Sequence, residues 1–219
     1  VATCDISKPS EYENVLSLLD QIDAVVISSP LYVDGIPSHM LPFLIKAEEK
    51  CRENKCNFKL YLLSNSGFVE GKQNCLHLRM YEAWCRRAGI EWGGGLGIGG
   101  GVMLHVLYLL FPISAILRSL QIIAAVLQSG SITGAGIWFY CRGLLVTPIL
   151  FSIALICEGI LANAVRKRKS IRNIYTRPLI PSFIFIFFAD IFMLISAIFK
   201  GTLPHKLFLK YDRDSSNEK

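Results

Sequence analysis

The segment 28–38, SSPLYVDGIPS, contains the residue types best suited to holding a flat ring. Pro30 has no backbone N–H with which to continue a sheet, and Gly35 can adopt a positive φ, so the backbone is expected to form a shaped loop. The loop presents the ring of Tyr32 together with the backbone N–H groups of residues 31–35. An aromatic face beside hydrogen-bonding groups suits a flat heteroaromatic ligand.

A second loop, 64–68 with the sequence SNSGF, offers backbone amides, Gly67 and the ring of Phe68. Taken alone, each loop is equally consistent with an ordinary turn. Both, however, follow continuous apolar runs, at 24–28 and 58–63, of the kind expected for strands buried on both faces. Ligands of open α/β sheets bind outside the carboxyl ends of the strands, so two such loops at neighbouring strand ends favour a binding crevice.

Other kinds of site receive little support. The run GLGIGG at 95–100 fits the pattern of a dinucleotide-binding turn, but it follows a third strand, and no Asp or Glu lies between Glu91 and Glu158 to hold a ribose. A glycine-rich strand end that allows the close approach of backbone or ligand is therefore favoured. The four His and seven Cys show no metal-ligand spacing, and no hydrolase elbow motif occurs. We therefore predict no metal site, no catalytic side chain and free thiols.

The elements that would position the two loops alternate between helix and strand. Ser10 and Ser38 are plausible N-caps, Gly89 is a plausible helix end, and residues 90–92 begin the third strand. Short connections between alternating elements imply right-handed crossovers and a parallel sheet. The amphipathic helices are predicted at 10–21, 38–51 and 74–88.

Three stretches together resemble the flavodoxin-like NAD(P)H-dependent FMN reductases: DAVVISSPLYVDGIPSHMLPFL, KLYLLSNSGFVEG and YEAWCRRAGIEWGGGLGIGGG, within about residues 5–130. The resemblance implies a parallel sheet of order 2-1-3-4-5, bound FMN, and hydride transfer from NAD(P)H in which the flavin supplies the chemistry. It places the first loop against the flavin ring and the second beside the pyrimidine side of that ring. The implied cofactor-binding residues are Ser29, Pro30, Leu31, Tyr32, Val33, Gly35, Asn65, Ser66, Gly67 and Phe68.

The sequence departs from this family at its beginning. The family's first strand and its Ser/Thr-rich phosphate loop would lie before Val1, and in the family that loop and the following helix N-terminus hold the FMN phosphate. We therefore expect a sheet that is incomplete at its N-terminus, and weak or no FMN binding by this segment alone. The alternative function is a non-catalytic, membrane-anchored docking module with a degenerate flavodoxin-like domain.

The second half of the chain is expected to associate with a membrane. Between Gly93 and Ala164 only three charged side chains occur, and residues 179–199 form an apolar run that as a helix would span ~31 Å. Residues 143–165 are a second candidate span, which we expect to lie at the interface or to pack on the domain. Residues 112–128 have one polar and one apolar helical face, which predicts a helix that covers the sheet, with a span as the alternative.

We accordingly expect an α/β fold, a flavodoxin-like parallel sheet with flanking helices, plus C-terminal membrane helices. Residues 1–130 would form the FMN-binding domain, 131–177 a hydrophobic helix and a basic segment, and 178–219 a transmembrane helix with a polar tail. The net charge of +6 is concentrated beside apolar runs, which favours membrane lipid over nucleic acid as a partner and a cytoplasmic α/β domain. The other expected partners are a small electron acceptor such as a quinone and a second copy of the chain.

Overall fold

The apolar runs identified above form one sheet of four parallel strands in the order β1–β2–β3–β4. A computed structural model describes residues 3–32, 35–129, 138, 142, 145 and 149–201. The parallel α/β prediction is confirmed, and the sheet with its flanking helices is consistent with a flavodoxin-like fold. The strands are β1 (Ala24–Pro30), β2 (Lys59–Asn65), β3 (Glu91–Ile98) and β4 (Ile174–Thr176).

Three helices cover one face of the sheet: α1 (Pro9–Leu18), α2 (Met40–Asn54) and α3 (Cys75–Ala88). Their apolar side chains pack on Ile27, Leu60 and Leu62 in one continuous core. The indole N–H of Trp84 in α3 donates to the carbonyl oxygen of Leu44 in α2 at 3.0 Å, which joins the two helices. Full burial of each large apolar side chain in this core contributes about 1.5–3 kcal/mol.

The opposite face is covered by α5 (Ser152–Arg166), and not by the helix that the sequence suggested. Residues 112–128 are helical as predicted, within α4 (Gly101–Ser129), but side chains of the predicted apolar face such as Ile116 and Leu120 are more than half exposed. Ala154, Leu161 and Ala164 of α5 instead pack on the sheet, because small residues let this helix approach closely. This agrees with the expectation that 143–165 packs on the domain, although most of 143–148 lies outside the described residues.

The helix starts differ from those predicted, whereas one helix end agrees. Ser10 lies inside α1, because Pro9 occupies the first turn, where its fixed φ favours the helix. His39 rather than Ser38 precedes α2, and its side chain makes no capping hydrogen bond. Gly89 ends α3 as predicted: its φ is 74°, and its N–H donates to the carbonyl oxygen of Cys85.

The chain divides into two compact units, Val1–Leu179 and Ile180–Lys219. The second unit contains α6 (Ser182–Phe199), whose 18 residues have a mean hydropathy of 2.4. By length and composition it is the one helix within the described residues that can cross a bilayer. Of the C-terminal membrane helices predicted in the plural, the structure therefore shows one candidate.

Candidate functional site

The first loop leaves β1 through a tight turn that exposes an aromatic ring. The N–H of Gly35 donates to the carbonyl oxygen of Tyr32 at 2.9 Å, and the reverse bond measures 3.4 Å. The N–H of Leu31 donates to the carbonyl oxygen of Asn65 at 2.8 Å, which ties this loop to the end of β2. The ring of Tyr32 is 59% exposed at the carboxyl edge of the sheet.

The second loop is held by backbone hydrogen bonds to β3 and to the start of α4. The N–H of Ser66 donates to the carbonyl oxygen of Ile98 at 3.1 Å, and the N–H of Gly101 donates to the carbonyl oxygen of Ser66 at 2.9 Å. The ring of Phe68 is 54% exposed. Both loops therefore lie at the same edge of the sheet, and each presents one solvent-facing ring on a braced backbone.

The ten predicted site residues fall into groups by exposure. Tyr32, Asn65, Gly67 and Phe68 are exposed, and Pro30 and Gly35 are partly exposed. The other three described residues, Ser29, Leu31 and Ser66, are buried, so their side chains support the loops rather than line an open surface. Val33 lies outside the described residues.

The second loop also presents hydrogen-bonding groups that the protein itself does not use. Within the described residues, the backbone N–H groups of Gly67 and Phe68 and the side-chain amide of Asn65 make no hydrogen bond. Neutral donors and an acceptor beside two aromatic rings can recognise the edge of a planar heterocycle.

The glycine run after β3 packs against the protein's own backbone. The N–H groups of Gly99, Gly100 and Gly101 donate to the carbonyl oxygens of Thr176, Phe68 and Ser66, at 3.2, 2.6 and 2.9 Å. A Cβ at Gly99 would lie 2.1 Å from the carbonyl oxygen of Val69. These amides are engaged and are not free to hold a phosphate, so the glycines serve close packing, as the sequence favoured.

A buried polar cluster, not foreseen from the sequence, supports the second loop from beneath. The side-chain N–H₂ of Asn74 donates to the carbonyl oxygens of Gly71 and Ile98 at 3.0 and 3.2 Å, and to the hydroxyl of Ser66 at 3.2 Å. The hydroxyl of Ser64 donates to Oδ1 of Asn74 at 2.8 Å and lies 2.7 Å from Nδ1 of His77. A polar residue next to a helix start gives no signal in the sequence that it is buried.

The same cluster fixes the protonation state of His77. The single proton of the Ser64 hydroxyl is donated to Asn74, so the Ser64 oxygen can only accept from His77. Nδ1 of His77 therefore carries a proton and donates it to Ser64. Its Nε2 is buried without a hydrogen-bond partner in the described residues. Burial lowers the pKa of His77 from 6.5 to about 4, since a second ring proton would place an unpaired charge in the core.

This shift predicts a loss of stability in mild acid. A histidine whose pKa is lowered on folding contributes stability that is complete above the unfolded pKa of 6.5 and is lost as the pH falls towards 4. The loss is about 1.4 kcal/mol per pH unit and about 3 kcal/mol in all. Urea unfolding at a series of pH values checks this, and the slope between pH 6.5 and about 5.5, above the range in which carboxylates are protonated, is expected to be reduced in His77→Gln.

His39→Gln, at an exposed histidine, is the matched control and should keep the slope. Carboxylates whose pKa is lowered in the folded state also reduce stability in acid, but only below about pH 5. The pKa of Glu91, for example, is held below its usual 4.5, chiefly by the hydrogen bond from Lys59. An unchanged slope in His77→Gln would contradict the assignment.

No protein-family model, curated protein or solved structure matches the chain. The geometry of the strand-end loops is therefore the basis for inferring the function. Among the described residues, no three His, Cys, Asp or Glu side chains are grouped so that they could hold a metal ion. The loops thus offer rings and backbone donors, but not a cluster of acids, bases or metal ligands.

A concave surface lies at the opposite edge of the sheet. It is a groove of about 350 Å³ between the C-terminal ends of α2 and α3, lined by Cys51, Cys56 and three basic side chains among others. Burial, followed by the neighbouring Cys56, raises the pKa of Cys51 to about 12, so its thiol is a poor nucleophile at neutral pH. Arg52 and Arg87 are engaged with Glu48. The groove therefore lacks the chemistry of an active site.

Proposed function

We propose that this chain provides the ring-binding part of an FMN-dependent NAD(P)H oxidoreductase. The observation that carries the proposal is the pair of exposed rings, Tyr32 and Phe68, on braced loops at the carboxyl ends of two adjacent parallel strands. This edge is where open α/β sheets bind planar cofactors. The resemblance of the same segments to flavodoxin-like FMN reductases supports a flavin as the planar group.

The residues present fit the ring of the cofactor but not its phosphate. Tyr32 and Phe68 would cover apolar parts of the ring and exclude water from it, while the N–H groups of Gly67 and Phe68 and the Asn65 amide would meet its polar edge. Bound flavin would accept a hydride from NAD(P)H and pass electrons to a small acceptor. The amides of residues 99–101 are already engaged, so the phosphate would need other groups.

Membrane association forms part of the proposal. The apolar helix α6 is long enough to anchor the chain, and basic residues precede it at 166–172 and at Arg177. Basic residues beside a span favour the cytoplasmic side, so we place the α/β unit there. A quinone, which partitions into bilayers, is then the natural class of acceptor.

A non-catalytic docking module is the alternative. It is favoured by Val26, whose side chain is 50% exposed. Val26 belongs to β1, the strand at one end of the sheet. Such an uncovered sheet surface can bind a partner without any cofactor.

Steady-state kinetics distinguish the two functions. The purified protein in lipid or detergent, supplied with a large excess of FMN to offset the weak binding expected of this segment, should oxidise NADH or NADPH in the presence of a soluble quinone. In Tyr32→Ala the rate at sub-saturating FMN should fall about 3–10-fold, the equivalent of one aromatic contact of about 0.5–1.5 kcal/mol. Leu76→Ala removes a similarly exposed side chain from α3 and should have no effect. Absence of any FMN-dependent oxidation would favour the docking module.

A further inference from the structure

Helix α5 has apolar side chains on two faces, and only one of them is used in the fold. Ala154, Leu161 and Ala164 on the inner face are 5% exposed and pack on the sheet. On the outer face Leu155, Ile156 and Ile160 are 55%, 63% and 46% exposed. Ile156 and Ile160 are four residues apart and therefore adjacent on the helix surface, so together with Leu155 they present apolar side chains away from the sheet.

Positive charge is concentrated at the C-terminal end of this helix. Arg166, Lys167, Lys169 and Arg172 are exposed, and within the described residues no carboxylate lies within ion-pair distance of any of them. Arg168, in contrast, pairs with Asp23 at the amino edge of the sheet. Arg168 therefore anchors the chain just beyond the end of α5, while the four neighbouring cations remain available to a partner.

These cations are not needed to end the helix. The hydroxyl of Tyr61 donates to the carbonyl oxygen of Lys169 at 3.1 Å and lies 3.4 Å from that of Ala164. The backbone N–H of Lys169 also donates to the carbonyl oxygen of Ala164, at 2.9 Å. Backbone groups and a buried phenol already satisfy these carbonyls. A role in capping the helix therefore does not explain why the basic side chains are there.

We propose that the outer face of α5 lies in the interfacial region of an anionic lipid bilayer, with the four cations against lipid headgroups. A helix with apolar side chains on one surface and Lys or Arg beside it is the arrangement that binds membrane interfaces. Anionic lipid attracts such clusters most strongly when they lie next to a membrane anchor, and α6 begins at Ser182, ten residues after Arg172. The charge of the cluster selects lipid over an apolar protein partner. This proposal does not depend on flavin binding.

Photocrosslinking of the wild-type chain tests the proposal without mutation. The full chain is reconstituted into vesicles of phosphatidylcholine and phosphatidylserine that contain a lipid with a diazirine in its acyl chain, and adducts are located by mass spectrometry. Adducts at Leu155, Ile156 and Ile160 are expected at least fivefold above those at Leu41 and Ile45. These two α2 residues are the matched control, because they are 46% and 59% exposed and equally apolar.

Charge variants test the role of the cations. Lys167→Glu combined with Lys169→Glu should reduce the α5 adducts at least threefold, whereas Lys72→Glu, at an exposed lysine of the other edge, should not. Vesicles of phosphatidylcholine alone should give the same reduction as the double variant. Labelling of α5 no greater than that of α2 would overturn the proposal and would indicate that α4, a second copy or another protein covers this face.

Discussion

Replacement of Gly71 by alanine is expected to lower the free energy of unfolding by about 3 kcal/mol or more. A Cβ at Gly71 would lie 2.2 Å from the carbonyl oxygen of Thr176 and 2.3 Å from that of Gly97. Both obstacles are backbone atoms of β4 and β3, so no side chain can rotate away to make room. The turn before α3 would have to move off the sheet, and the second loop would move with it.

Gly159→Ala is the matched control for this substitution, with an effect of opposite sign. Gly159 lies within α5, and a Cβ there would meet nothing within 4 Å. Alanine is favoured over glycine inside a helix, so this variant should be about 0.5–1 kcal/mol more stable. Urea unfolding followed by the fluorescence of the buried Trp84 measures both variants. A Gly71→Ala protein as stable as wild type would show that the turn is not packed on β3 and β4.

Loss of the Asn74 side chain is the second large effect expected. In Asn74→Ala the carbonyl oxygens of Gly71 and Ile98 and the hydroxyl of Ser64 lose a buried partner at once. The Ile98 carbonyl oxygen keeps the N–H of Ser66, and the Ser64 hydroxyl keeps Nδ1 of His77. The cost is therefore that of several lost hydrogen bonds at about 1 kcal/mol each, or about 3 kcal/mol in total. Thermal or urea unfolding gives the value directly.

Asn57→Ala is the control, because Asn57 is exposed in the connection before β2 and makes no hydrogen bond in the described part of the chain. Its stability should stay within about 0.5 kcal/mol of wild type. Equal stability of the two variants would mean that the Asn74 cluster does not hold the second loop. Hydrogen exchange at residues 65–71 should also rise in Asn74→Ala alone, which locates the damage.

Much of the sheet could be predicted because local pattern and burial agree there. The apolar runs before Ser28 and Ser64 correspond to β1 and β2, and Gly89 marks the end of α3 in both the sequence and the structure. β1 continues through Pro30, two residues beyond the predicted strand. Proline is tolerated there because it is the last residue of a strand at one end of the sheet.

Features that depend on distant partners were not predictable. β4 has only three residues, Ile174–Thr176, and forms by pairing with Leu96, Gly97 and Ile98 almost 80 positions earlier. Likewise, the sequence does not show whether α4 or α5 covers the second face, since both are apolar. The choice depends on small residues such as Ala154 and Ala164, which allow α5 to approach.

The candidate site was predictable in position but not in detail. The sequence places both loops at strand ends, and the structure brings them to the same edge through the bond between Leu31 and Asn65. The sequence does not show that the side chains of Ser29 and Ser66 are buried beneath that edge, as they are in the structure. Ser29 lies in β1, where the alternation of the strand makes it face inward, whereas Ser66 lies beyond the end of β2 and its N–H is bonded to Ile98 of β3.

Titration of the purified protein with riboflavin and with FMN, followed by flavin fluorescence, tests the central claim most directly. Both ligands carry the same ring and the phosphate finds no partner, so both are expected to bind weakly and with similar affinity, and both should bind about 3–10-fold more weakly still in Tyr32→Ala and in Phe68→Ala. Leu76→Ala should bind them as wild type does. Failure of either flavin to bind, or binding that is indifferent to the loss of both rings, would contradict a flavin slot at the strand ends.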